Sequence, residues 1–99
     1  MTYRVRYTAG ARDDLLRQFE FLVEQDVKAA RQARTSIAKG MAFLRTFPFS
    51  CRKATDNNSF LREIVIPFGA AGDVALFEID DDQTVTILAV RHQREDDYH

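Results

Sequence analysis

"FLREIVIPFGAAGDVALFEIDDDQTVTILAV", residues 60–90, is the stretch that decides the fold. Within it "FLREIVIPF" (60–68), "DVALFEI" (73–79) and "TVTILAV" (84–90) are rich in β-branched and aromatic residues, the composition of strands. "GAAG" separates the first pair and "DDDQ" the second, connections short enough for antiparallel hairpins. The stretch therefore predicts a three-stranded meander. Pro67 belongs at a strand end or an edge, because it has no N–H to give to a ladder.

Working back from the meander, "SCRKATDNNS" (50–59) is polar and turn-rich and predicts a connecting loop. Before it, "FPF" (47–49) stops a helix, since Pro48 disfavours helical dihedrals at the preceding residue. That helix starts beyond Asp26, a capping residue, and carries Ala30, Ala33, Ile37, Met41 and Leu44 on one face. A first helix is predicted from Gly10 to Gln25, where Leu15, Leu16, Phe19, Leu22 and Val23 recur at helical spacing. Asp13 and Asp14 are expected in its first turn, where the helix dipole favours negative charge. The link between the helices is so short that they must fold back as an antiparallel hairpin. Ala29, Ala30, Ala33, Ser36 and Gly40 predict that the two helix backbones approach closely. At the start of the chain, "YRVRYT" (3–8) alternates with the period of a half-buried strand.

The order is thus β-α-α-β-β-β. The expected class is α+β, a two-helix antiparallel hairpin packed on a mostly antiparallel four-stranded sheet, in a single domain spanning 1–99. The face of the sheet away from the helices is solvated or kept for a partner.

Composition narrows the classes of function. A chain of 99 residues supports one core, burying roughly 60–68% of the surface its unfolded form exposes. No window approaches ~18 consecutive apolar residues, so no membrane partner is expected. "MTYRVRYTAGARDD" has no apolar signal segment, and a lone cysteine, Cys51, suits a reducing compartment; a cytoplasmic location is the expectation. With a net charge of −1, any nucleic-acid role must rest on a local patch. Gly10, Gly40, Gly69 and Gly72 have no phosphate-loop spacing, and there is no Cys or His pairing at metal-ligand spacing. "DDD" (80–82) reads as a solvated hairpin turn and not a calcium loop. No cofactor and no metal are expected.

The densest polar cluster follows the last strand. Arg91, His92 and Arg94 come first, then Glu95, Asp96, Asp97, Tyr98 and His99. A second basic site, Arg62, shares a strand face with Phe60, Ile64 and Ile66. An arginine there is either paired with a carboxylate, Glu78 being the candidate, or aimed at a ligand. His92 is either a strand-end cap or a general acid, and Tyr98 suits packing against the sheet. The helix face with Phe19 and Leu22 is expected against the sheet, while Phe21, Phe43, Phe47, Phe49 and Phe68 leave apolar surface for an interface.

The element order, "FPFSCRKA", "FLREIVIPF" followed by "VALFEI", and "ILAVRHQREDDY" together resemble the RelE/ParE superfamily of toxins from bacterial type II toxin–antitoxin modules. The resemblance covers nearly the whole chain. It implies one of two activities. RelE-like members cut messenger RNA on the ribosome without metal, through basic, His and Tyr side chains. ParE-like members poison DNA gyrase by binding it. Both are neutralised by an antitoxin whose disordered segment folds onto the toxin. If the chain is RelE-like, the catalytic candidates are His92, Arg62, Arg91, Arg94 and Tyr98. If ParE-like, none is catalytic, and the candidates for binding target or antitoxin are Arg62, Arg91, His92, Arg94, Glu95, Tyr98, Phe19, Phe21, Phe43, Phe47 and Phe68. The long helix pair and the near-neutral charge place the resemblance closer to the ParE branch, with gyrase and an antitoxin as partners. The alternative partners are the ribosome and messenger RNA, and a third reading is an interaction module that arrests nothing.

Overall fold

The computed structural model describes residues 2–68 and 71–92. Strand β1 (Arg4–Tyr7) leads into helix α1 (Ala9–Gln25) and helix α2 (Val27–Thr46). A single 3-10 turn (Pro48–Ser50) follows, then β2 (Arg52–Thr55), β3 (Asn58–Phe68), β4 (Ala71–Ile79) and β5 (Thr84–His92). The five strands form one sheet in the order β1-β5-β4-β3-β2. Among the described residues only the β1–β5 seam is parallel; the helical hairpin and the three strands between carry the chain from one to the other.

The class is as the sequence predicts, but the sheet has five strands, not four. The additional strand, β2, lies in the segment expected to be a loop. It pairs with β3 through Arg52↔Glu63 and Lys53↔Arg62, and turns at Asp56–Asn57. All of its residues but Ala54 are exposed, so no apolar alternation marks it. Short, charged strands of this kind are how a sheet edge is blunted.

Asp26 is the whole helix–helix link. Its N–H donates to the Leu22 carbonyl (2.8 Å), closing α1, and its carboxylate accepts from the N–H groups of Lys28 (3.0 Å) and Ala29 (3.2 Å), opening α2. Helix α1 packs on β5 and α2 on β3. Helix α1 begins at Ala9, with Thr8 as its cap, so Asp13 and Asp14 lie beyond the first turn. Gly40 also differs from expectation. A Cβ on it would stand 3.2 Å from Cγ1 and Cδ1 of Ile66, so its bareness lets α2 settle onto β3.

The core sits between the helices and one face of the sheet. Phe77, Ile79 and Ala75 of β4, Ile66 of β3, and Val85, Ile87 and Val90 of β5 meet Ala11 and Leu44 from the helices. The spacing Val85, Ile87, Val90 is 2 then 3, and the ladder shows why. Phe77 pairs with Ile87 but Leu76 with Ala89, leaving Leu88 as an extra residue in β5. Past this bulge Val90 and His92 face the helices and Arg91 the opposite side.

Candidate functional site

Arg62 is held by main-chain oxygens. Its Nε donates to the Ser59 carbonyl (2.7 Å), and Nη1 donates to those of Cys51 (2.8 Å) and Phe49 (3.1 Å). The guanidinium carbon lies 5.3 Å from the centre of the Phe49 ring. The expected partner Glu78 is ruled out by register. Arg62 lies opposite Phe77, so Glu78, opposite Leu61, points to the other face. Arg62 thus ties the 3-10 turn to β3. Cys51 lies beside it, and burial pushes its thiol pKa up while the Arg62 charge pulls the other way.

Around Arg62 the chain exposes aromatic rings. Phe43, in the last turn of α2, and Phe47, the residue that caps it, stand 5.6 Å between centroids, and Phe49 meets Phe60 edge-on at 6.0 Å. All four are 42–54% exposed. Phe21 is exposed on α1, whereas Phe68 corrects the expectation: at 3% it belongs to the core and offers no surface. Phe19, half-buried, lines a shallow groove between the helices with Leu15, Leu16, Ile37 and Arg34.

Arg91 is engaged differently. Beyond Ile87, β5 outruns β1, and α1 supplies the missing edge partners. The Thr8 hydroxyl donates to the Leu88 carbonyl (3.1 Å) and Gln18 Nε2 to that of Val90 (3.1 Å). Asp14 Oδ2 accepts from the Val90 N–H (3.0 Å) and from Arg91 Nη1 (2.7 Å), while its Oδ1 pairs with Arg17 (3.3 Å). Asp14, placed by sequence at the helix dipole, is instead the clamp on the last strand. Nothing in the sequence spacing singles it out, since its partners are 76 and 77 residues away.

Among the described residues, the structure does not gather the candidate side chains into one site. Arg62 is level with Ile87 on β5, Arg91 with Val65 on β3, and His92 with Ile66. Arg62 and Arg91 therefore leave their strands toward opposite faces, although the Arg91 guanidinium bonds Asp14 of α1 at the β5 edge. Arg62 and His92 share a face but stand about 13 Å apart along the strands and about 10 Å across them. His92 is the cross-strand neighbour of buried Asp73. Arg94, Glu95 and Tyr98 lie outside the described residues. Among the described residues no group of three or more metal-ligating side chains occurs, and no helix is long and apolar enough to cross a membrane.

A helical hairpin laid on one face of a five-stranded sheet defines a small two-layer α+β protein. A solved structure titled "Chromosomal ParDE TA system from P. aeruginosa" is similar in fold, with a TM-score of 0.70 at 15% identity over 92% of this chain and 96% of that one. No curated protein sequence matches. The family model described as "ParE toxin of type II toxin-antitoxin system, parDE" matches residues 5–97, and the chain belongs to that family. Its role is that of a type II toxin within the RelE/ParE superfamily.

Proposed function

We propose that the chain acts by binding DNA gyrase and that a cognate antitoxin neutralises it in the cytoplasm. The observation that carries the binding mode is the engagement of the two arginines nearest to a catalytic role. Arg62 is tied to three main-chain carbonyls, and Arg91 is ion-paired with Asp14. A phosphate clamp must change partners easily, and neither arginine can do so without loosening the fold. The antitoxin reading is supported by the similarity to a solved ParDE system.

The test is induction of the chain alone in a bacterium while amino-acid incorporation is followed over the first minutes. Sustained translation with later filamentation and DNA damage is expected, together with inhibition of supercoiling by purified gyrase. Immediate collapse of translation, abolished by His92→Ala in a folded protein, would establish the ribosomal nuclease instead. Induction without arrest would leave only an interaction module.

A further inference from the structure

Charge is divided along this chain in a way its net value conceals. Residues 27–55 hold no acid, and carry Lys28, Arg31, Arg34, Lys39 and Arg45 on α2, then Arg52 and Lys53 on β2. That is +7 in one stretch, against −8 in the remainder. All five basic side chains of α2 are exposed. The ion pairs among the described residues are Arg6–Asp80, Arg17–Asp14, Arg52–Glu63 and Arg91–Asp14, so none involves α2, Lys53 or Arg62. Lys53 and Arg62 even face each other across the β2–β3 ladder, where like charges repel. The same segment bears Phe43, Phe47 and Phe49, and Phe60 stacks on its end.

We propose that this surface, running along α2 to the Phe43–Phe47–Phe49–Phe60 cluster, is the docking site for an acidic, amphipathic segment of the antitoxin. The proposal rests on the reading that an antitoxin neutralises the chain. Apolar side chains of the segment cover the four rings. Its carboxylates answer the exposed basic side chains of α2 and Lys53. Nucleic acid is the poorer occupant. Phosphates would match the charge, but four half-exposed rings that pack on one another in pairs would gain nothing from a duplex backbone.

The experiment measures affinity between the folded chain and the antitoxin encoded in the same module, at two salt concentrations. Variants are Phe43→Ala/Phe47→Ala, Arg31→Glu/Lys39→Glu, and, as control, Val65→Ala, an exposed apolar side chain on the opposite sheet face. All three substitute exposed positions, and Arg62 is spared because it also holds the 3-10 turn. Each double variant is expected to weaken binding about 30-fold or more, the scale of an interface hot spot. Val65→Ala should stay within about 3-fold of the parent, and added salt should weaken the parent complex more than the charge-reversed one. A complex that forms but tolerates both double variants within about 3-fold would overturn the assignment of this surface while leaving the antitoxin reading intact. Failure of the unsubstituted chain to bind at all would overturn that reading and the surface with it. Duplex DNA bound by the parent, and lost in the charge-reversed variant alone, would mark the stretch as a nucleic-acid surface and also overturn the proposal.

Discussion

Replacing Asp14 by alanine tests whether α1 holds the last strand in place. The substitution removes the acceptor of the Val90 N–H, a buried donor left without a partner, at about 1–3 kcal/mol. It also removes the carboxylate from Arg91, whose side chain is 34% exposed; discounted for solvent screening, that contact is worth about 1 kcal/mol. Arg17, at 61% exposure, adds about 0–0.5 kcal/mol. The expected loss is about 3 kcal/mol, or roughly 12–24 °C in Tm for a domain of this size. Urea unfolding followed by circular dichroism reads it as a lower midpoint at unchanged slope. Asp14→Asn, which keeps one acceptor but no charge, should lose about half as much. A double-mutant cycle with Arg91→Ala should show coupling of about 1 kcal/mol. A loss below about 1 kcal/mol for Asp14→Ala, or strict additivity in the cycle, would refute the clamp.

Other outcomes follow from the packing. Phe77→Ala empties the centre of the sheet's buried face and should cost about 3–5 kcal/mol in chemical denaturation, most of the stability of a small domain. Gly40→Ala should fail to yield the roughly 1 kcal/mol that alanine gains in a helix, because the new methyl meets buried Ile66; adding Ile66→Val should recover part of the difference in Tm. Cys51 has its pKa raised by burial, so less thiolate is present at a given pH. Its alkylation by iodoacetamide at pH 8 should be slower in the native chain than in urea, the gap narrowing as pH rises.

The helices and the meander were legible because each buries one face against a single partner, which imprints a clean period on the sequence. β2 buries almost nothing, so its edge position left no such imprint. The β5 bulge was written in the sequence as the irregular spacing of Val85, Ile87 and Val90, but a ladder is needed to tell a bulge from a strand end. For Arg62, parity within β3 put it correctly beside Phe60 and Ile64. The choice of Glu78 failed because cross-strand register, which sets the face, is not visible in one strand. The partners Arg62 does have are main-chain carbonyls, which no side-chain pattern advertises. Phe68 failed in the opposite sense: an aromatic at a strand end reads as surplus until the position of α2 over β3 is known. Arg94, Glu95 and Tyr98 keep only their reading from sequence.

The parallel seam also sets the order of events when the chain is made. Arg4 pairs with Thr84 and Tyr7 with Ile87, so β1, once synthesised, waits 80 residues for its partner. At about 5–20 residues per second that wait lasts roughly 4–16 s. The helical hairpin and the β3–β4–β5 meander close short loops and form early, whereas the seam closes a loop of nearly the whole chain and forms late. Substitutions at Val5 or Tyr7 should therefore speed unfolding far more than they slow folding. That outcome, read by stopped-flow unfolding and refolding of Val5→Ala, would mean that the lifetime of the folded toxin is governed by a contact that its folding nucleus does not contain.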